Sequence, residues 1–230
     1  MQSNKNVTRE KMKVIITGTT GMVGEGVLHE CLLDPAVEQI LVINRKPCGV
    51  THSKLTEIIH RDFFDLSSIE DQLIGYNACF FCLGVSSVGM TESEFRRISY
   101  DLTLYVAGVL CKLNPEMVFC YVSGSGTDSS EKGRIMWARV KGKTENDLLK
   151  LPFKRAYMFR PGYLHPTKGL KNTHRYYTYL SWMYPVVRRL FPMQILSLKE
   201  LGIAMIHSVT HGYERSILEN KDIAALAKNN

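Results

Sequence analysis

The feature that most constrains the fold is a glycine-rich stretch, TGTTGMVGEG, which directly follows the apolar run KVIIT. Gly18, Gly21 and Gly24 stand three residues apart, between a predicted strand and a predicted helix. Glycines at this spacing allow a tight turn, a close approach of backbone to a pyrophosphate, and close packing of helix on sheet. The helix N-terminus adds free N–H groups and a positive dipole end. The stretch therefore predicts a dinucleotide site, with further contacts from its other residues Thr20, Met22 and Val23; a glycine-rich turn without a ligand is the alternative.

Apolar runs of strand length alternate with longer amphipathic stretches along most of the chain. Strands are predicted at 13–17, 39–43, 55–59, 78–83, 118–123 and 156–160, and helices at 22–33, 91–113 and 134–150. The second helix opens with a capping box, Thr91-x-x-Glu94. Near-continuous apolar strands that alternate with helices are typical of a parallel sheet covered on both faces. We therefore predict an α/β fold, a Rossmann-type doubly wound parallel sheet over residues 12–162, preceded by a flexible arm at 1–11.

The alternation ends after Pro161, and residues 163–230 are predicted to form a small, mostly helical substrate or cap region integrated with the same domain. The stretch 176–193 is aromatic and apolar on nearly all sides. We expect it to pack against the cofactor domain or against a partner subunit in a homodimer. Contact with an anionic membrane surface is the less favoured alternative. A helix at 197–209, a strand at 216–220 and a final helix follow.

The positive charge of the chain is unevenly distributed. The net charge is +7, and residues 131–200 hold fifteen Lys and Arg against four Asp and Glu. Such an excess favours an anionic partner, for instance a phosphorylated cofactor, or is simply a solvated face. The sequence shows no apolar run of membrane-spanning length and no signal-peptide core, so we expect a cytoplasmic protein with reduced cysteines. We predict no nucleic-acid partner and no metal site.

The end of the second predicted strand bears on the choice of cofactor. Asn44 stands twenty residues beyond Gly24, where an acidic residue would accept a hydrogen bond from the ribose 2′-hydroxyl of NAD. Arg45 follows it, and an arginine binds a 2′-phosphate well. The sequence therefore favours NADP over NAD, unless the segment INRKP is only a basic surface turn.

With these residues in place, the chain resembles the short-chain dehydrogenase/reductase superfamily. The resemblance is closest to its atypical, extended branch, which includes the Tat-interacting oxidoreductases and bacterial proteins called NAD-dependent epimerase/dehydratases. It covers roughly residues 12–170. It rests on TGTTGMVG, RDF at 61–63, FCLG at 81–84, YVSGSG, the lysine of WARVKG and FRPG at 159–162.

The resemblance implies roles for individual residues. Asp62 would accept from the adenine amino group, with Phe63 beside the ring, although Asp62 is equally suited to cap the next helix. Lys141 would hold the nicotinamide ribose, and Ser123 or Ser125 would bind a substrate carbonyl. Further cofactor contacts would come from the end of the fourth strand and from the FRPG segment, namely Cys82, Leu83, Gly84, Pro161 and Gly162.

The chain departs from this family at Trp137, four residues before Lys141, where the family has its catalytic tyrosine. An indole N–H donates a hydrogen bond but does not exchange a proton usefully. Another tyrosine would replace it (Tyr121, Tyr163 or one within 176–184), or Ser125 and water would suffice, or the site binds a cofactor without reacting. Trp137 as a mere core aromatic is a further alternative. We expect an NADP-dependent oxidoreductase or epimerase-like enzyme acting on a small carbonyl or sugar-like substrate; the alternative is a catalytically silent, NADP-binding regulatory protein.

Overall fold

The computed structural model describes residues 11–172 and 195–228. The aromatic stretch 176–193 and the predicted arm at 1–11, apart from the exposed Lys11, therefore lie outside the described residues. In chain order the elements are β1 (Met12–Thr17), α1 (Met22–Leu33), β2 (Val37–Asn44), β3 (Leu55–Ile59), a 3-10 helix (Ser67–Leu73), β4 (Ala78–Phe81), α2 (Glu92–Arg96), a π-helical stretch (Arg97–Asp101), α3 (Leu102–Leu113), β5 (Val118–Val122), α4 (Met136–Leu148), β6 (Arg155–Arg160), β7 (Tyr163–His165), β8 (Ile195–Ser197), α5 (Leu198–Thr210), β9 (Ile217–Glu219) and α6 (Asn220–Leu226).

Seven of the strands form one parallel sheet in the order β3-β2-β1-β4-β5-β6-β9. The strand order reverses between β1 and β4, so their carboxyl ends stand side by side and open a crevice of the kind that binds ligands in such sheets. The predicted Rossmann-type, doubly wound α/β fold is confirmed. Strands β7 and β8 form a separate parallel pair, which no pattern in the sequence predicted.

Successive residues of each strand supply the two cores, one on each face of the sheet. Val14 and Ile16 belong to the core beneath α1 and α5, whereas Ile15 belongs to the core beneath α3 and the 3-10 helix. Cys79 and Cys82 follow the same rule, because Cys79 lies in the second core and Cys82 packs against the first. All six cysteines are free.

Helices α1 and α5 pack closely at two glycines. A Cβ atom added to Gly26 would lie 2.9 Å from the Cβ of Leu198, and one added to Gly202 would lie 2.7 Å from Cγ of Glu30. The described residues after 194 therefore join the body of the molecule: α5 covers one face of the sheet and β9 extends it. The division of the chain at residue 162 stays a prediction. Among the described residues, no helix combines the length and the apolar character needed to cross a membrane.

Candidate functional site

The glycine loop between β1 and α1 lies against the end of β4. Gly18 has a φ of +74°, and a Cβ atom there would lie 2.7 Å from the carbonyl oxygen of Cys82 and from the amide nitrogen of Leu83. A Cβ atom on Gly24 would lie 2.3 Å from the carbonyl oxygen of Gly18. These two glycines are therefore required by the packing of the protein itself.

Gly21 is different, because the protein does not demand a glycine there. Its φ is −108°, and within 4 Å of an added Cβ atom the described residues offer only the carbonyl oxygen of Gly18, at 3.4 Å. Gly84, after β4, has no atom of the described residues within 4 Å of an added Cβ. Both lie at the mouth of the crevice, where a bare backbone leaves room for a ligand.

The start of α1 offers an anion site beside this open space. Gly21 is the N-cap residue, so the N–H groups of the first turn, including those of Met22 and Val23, have no acceptor within the helix. Thr20 is exposed on the same turn. The arrangement fits the pyrophosphate of a dinucleotide, since free N–H groups and a helix dipole both favour negative charge.

Asn44 ties the glycine loop to the second and third strands. Its side chain, 3% exposed, donates to Oγ1 of Thr19 at 2.7 Å and to Oε1 of Glu57 at 3.0 Å. The same Glu57 oxygen accepts from the backbone N–H of Cys48 at 2.9 Å. Both amide hydrogens of Asn44 are thus engaged within the protein, and the exposed Arg45 is the next residue that a ligand would meet. The contribution of Glu57 was not predicted from the sequence, because it depends on the register of β3 beside β2, which places Glu57 opposite Val42.

The RDF segment has two exposed side chains, those of Arg61 and Asp62, and the buried ring of Phe63. Oδ1 of Asp62 accepts from the N–H of Phe64 at 2.9 Å, which is a local turn rather than a helix cap. Phe63 is 4% exposed and belongs to the core beneath α3. The core accounts for Phe63, and the contacts of both residues with adenine stay predictions.

The FCLG segment lies beside the glycine loop, as the packing against Gly18 shows. The N–H of Leu83 also lies 3.4 Å from Oγ1 of Thr17, at the end of β1. Cys82 is half-buried, and burial raises the pKa of its thiol. This cysteine is therefore a neutral wall residue of the crevice.

The two candidate serines have different environments. Ser123 is buried, and its hydroxyl donates to Oε1 of Glu145 at 2.5 Å. Ser125 is exposed, and its N–H donates to the carbonyl oxygen of Pro161 at 2.9 Å. Ser125 is therefore the better placed of the two to meet a substrate. Gly162 is held nearby, since its N–H donates to Oδ1 of Asn220 at 2.8 Å.

Trp137 and Lys141 lie one turn apart on α4. The indole of Trp137 is half-buried, and its Cη2 atom lies 3.5 Å from the position of an added Cβ on Gly126, next to Ser125. The ammonium of Lys141 donates to the carbonyl oxygen of Ser123. Burial lowers the pKa of Lys141 to about 8, and the negative charge of Glu145 opposes that shift. Trp137, Lys141 and the end of β5 thus form one wall of the crevice.

A buried ion pair supports this wall, and sequence reasoning missed it. The guanidinium of Arg160 donates to both carboxylate oxygens of Glu145, with Nε 3.1 Å from each. It also donates to Oε1 of Glu219 at 3.1 Å and to Oγ of Ser129 at 2.5 Å. The signal available in the sequence was weak: Glu145 is four residues after Lys141 and so shares its helix face.

Two of the tyrosines that would replace the missing catalytic tyrosine, Tyr121 and Tyr163, belong to the described residues, and only the phenol of Tyr163 is accessible. Tyr121 is 2% exposed, and burial together with the charge of Glu145 raises the pKa of its phenol. Tyr163, on β7, is exposed. The tyrosines of 176–184 lie outside the described residues.

The segment after β7 returns to the start of α1. The carboxylate of Glu25, in the first turn of α1, is 8% exposed and accepts from the N–H groups of Lys171 and Asn172, each at 2.7 Å. Residues 171–172, the last described residues of this segment, therefore lie beside the start of α1.

Comparison with known proteins places these features in context. No protein-family model matches the chain. Protein FMP52-1, mitochondrial, from Scheffersomyces stipitis is 27% identical over 167 residues, which cover 70% of this chain and 73% of that protein. Protein fmp52, mitochondrial, from Emericella nidulans is 30% identical over 156 residues, 65% of each chain. Leucinostatins biosynthesis cluster protein T from Purpureocillium lilacinum is 29% identical over 70% of this chain and 61% of its own length. The chain thus spans about two thirds of the length of these relatives.

Solved structures agree with the fold at low sequence identity. The ADP-L-glycero-D-manno-heptose-6-epimerase of Helicobacter pylori has a TM-score of 0.66 at 12% identity, covering 95% of this chain and 82% of its own. WbmG of Bordetella bronchiseptica, in complex with NAD, has a TM-score of 0.66 at 13% identity, covering 96% and 79%. A short-chain dehydrogenase/reductase of Saccharomyces cerevisiae has a TM-score of 0.64 at 12% identity, covering 94% and 98%. The chain therefore shares the Rossmann-type α/β fold of these structures.

The relatives correct one expectation from the sequence. A cytoplasmic location was predicted from the absence of a signal-peptide core, but the FMP52 relatives of Scheffersomyces stipitis, Emericella nidulans and Candida albicans are named as mitochondrial proteins. That expectation was therefore wrong. Its reasoning addressed secretion, and mitochondrial targeting uses a different, amphipathic type of segment.

Proposed function

We propose that this protein is an NADP-dependent oxidoreductase or epimerase-like enzyme that acts on a small carbonyl or sugar-like substrate. The observation that carries the proposal is the pair Gly21 and Gly84, two glycines that no neighbour among the described residues requires, at the mouth of the crevice beside the start of α1. A bound nicotinamide would exchange a hydride with the substrate. The narrower likeness to the Tat-interacting oxidoreductases stays a prediction.

The residues of the α4 wall support a role for this chain in binding and orienting the substrate. The exposed Ser125 is placed to donate to a substrate oxygen, and the half-buried Trp137 beside it would exclude water from one side. Lys141 carries a cation next to the end of β5, where the resemblance expects it to hold the nicotinamide ribose. Among the described residues, two of the predicted proton sources remain: the phenol of Tyr163, or Ser125 together with water.

Arg45 supports the choice of NADP. It is exposed immediately after β2, while Asn44 is engaged by Thr19 and Glu57 and has no amide hydrogen left for a ligand. A guanidinium there suits a 2′-phosphate, because it donates several charge-assisted hydrogen bonds at once.

The test is the thermal stabilisation of the protein by NADPH in Gly21→Val and in a control, Gly108→Val. Both glycines have room for a side chain among the described residues, but Gly108 lies in α3, away from the glycine loop. We expect both variants to fold and only Gly21→Val to lose the stabilisation, since its side chain would occupy the place of the pyrophosphate. Equal stabilisation of both variants would show that the phosphates bind elsewhere.

A second candidate function is favoured by Trp137. The usual acid is missing from its position, so the protein would bind NADP as a regulatory or sensor protein without turning a substrate over. The two functions predict the same cofactor binding and differ in NADPH oxidation with a panel of aldehydes and ketones. Brisk oxidation by the wild type would exclude the silent alternative.

The relatives' names suggest a mitochondrial location for this protein as well. Expression with a C-terminal fluorescent tag, imaged beside a mitochondrial marker, tests this. A diffuse signal separate from the marker would contradict it.

A further inference from the structure

The starting observation is the anchoring of residues 171–172 on the first turn of α1. Glu25 is a buried carboxylate, and both of its oxygens accept backbone N–H groups from this segment at 2.7 Å. Hydrogen bonds to a charged group contribute more than neutral ones, and a buried carboxylate without them would be destabilising. The pairing therefore fixes the backbone of Lys171 beside the glycine loop.

The side chain of Lys171 reaches the turn that follows β2. Its Nζ atom lies 3.6 Å from the position of an added Cβ on Gly49. Leu170, Cys48 and Val50 pack against the same core. Lys171 is exposed, and the part of the chain that the structure describes contains no carboxylate within ion-pair distance of it.

The position of this ammonium defines what it is able to bind. In a Rossmann-type site, the adenosine ribose lies between the glycine loop and the end of β2, and its 2′-substituent points to the residues after β2. The backbone of Lys171 is bound to Glu25, in the first turn of the helix that follows the glycine loop, and its Nζ lies against Gly49, in the turn after β2. Two acidic side chains of these elements are already engaged, since Glu25 accepts two backbone N–H groups and Glu57 accepts from Asn44 and Cys48.

We infer that Lys171 is a specificity-determining residue that binds the 2′-phosphate of NADP together with Arg45, and that Glu25 positions it there. This inference rests on the proposed function. It assigns the recognition of the 2′-phosphate partly to the segment after β7, far in sequence from the glycine loop and from β2. A lysine suits this role because it is a compact, mobile point charge that complements the fixed fork of an arginine.

The experiment uses two adenosine fragments as probes, 2′,5′-ADP and 5′-AMP, and measures their Kd by calorimetry for the full chain. Lys171→Ala is compared with Lys168→Ala, a control that removes an exposed lysine from the same segment. We expect Lys171→Ala to bind 2′,5′-ADP about tenfold more weakly, as the loss of one charge-assisted contact predicts, with 5′-AMP unchanged. Lys168→Ala is expected to match the wild type for both probes, and Lys171→Arg to restore most of the loss.

The outcomes separate this inference from the proposal on which it rests. If the wild type bound neither probe, the proposed nucleotide site itself would be wrong. If the wild type preferred 2′,5′-ADP but Lys171→Ala kept the full preference, the site would stand and the role of Lys171 would be refuted. An equal loss for both probes would also refute it, because a general structural effect would then explain the result.

Discussion

Trp137 occupies a position at which a small change of side chain carries a large chemical difference. Its indole packs beside Gly126 and Ser125, with the Lys141 ammonium one helical turn away. A phenol in this place would have a titratable proton next to a cation that favours the phenolate, and the indole has none.

We therefore predict that Trp137→Tyr raises NADPH-dependent turnover of simple aldehydes and ketones, by up to about 10²–10⁴-fold, the usual contribution of a positioned general acid. Trp137→Phe is the control, since it also removes the indole but supplies no proton. The measurement is NADPH absorbance under identical conditions for the three proteins. A gain in both variants would mean that the indole only blocks access to the site.

At the scale of secondary-structure elements, the contact between α1 and α5 depends on side-chain size at Gly202. An added Cβ there would lie 2.7 Å from Cγ and 2.8 Å from Cβ of Glu30, a distance that requires the helices to move apart. Gly108 in α3 is the opposite case, with no atom of the described residues within 4 Å. Alanine favours a helix over glycine by about 1 kcal/mol at either position.

The two alanine variants are thus expected to change stability in opposite directions. Gly202→Ala should lower the free energy of unfolding by about 1–2 kcal/mol, because the overpacking exceeds the gain in helix propensity. Gly108→Ala should raise it by up to about 1 kcal/mol. Urea unfolding followed by circular dichroism measures both. A stabilised Gly202→Ala protein would contradict the close packing of these helices.

Elements were predictable from the sequence wherever their pattern is local. The apolar runs and the glycine loop predicted helices α1 and α4 and the sheet strands from β1 to β6 to within a few residues. The capping box at Thr91 is also present as expected. The long helix at 91–113 is instead interrupted by the π-helical stretch Arg97–Asp101, which no residue in the run indicates. The pair β7–β8 was missed because strands of three residues carry too little periodicity to stand out.

The candidate site was predictable only in its glycine loop and at the strand ends. Glu25, Glu57 and Glu145 each bind a residue outside their own helix or strand, and such contacts depend on the register of parallel strands and on how the chain returns to the sheet. Ser123 and Ser125 were equivalent in the sequence, and the structure distinguishes them by the burial of Ser123 and its hydrogen bond to Glu145. Long-range packing of this kind leaves no local signature.

At the scale of the whole molecule, one buried ion pair joins α4, β6 and β9. Arg160 is paired with the fully buried Glu145 and also reaches Glu219. Removing one partner leaves the other charge buried without compensation, which is usually much more destabilising than removing both.

We predict that Arg160→Met lowers the free energy of unfolding by about 3–5 kcal/mol, and that adding Glu145→Leu to it restores part of the loss. Urea unfolding of the wild type, both single variants and the double variant forms a complete double-mutant cycle. Additive losses in the double variant would show that the two side chains do not depend on each other.

Strand β9 pairs with β6, although the whole of segment 161–216 lies between them in the chain. During synthesis on the ribosome, β6 emerges long before β9, and its hydrogen-bonding edge is open in the meantime. Arg160 at the end of β6 likewise has no Glu219 to bind until that strand arrives. The nascent chain therefore passes through a stage with an exposed apolar edge strand, which is the stage at which a chaperone would have most to protect.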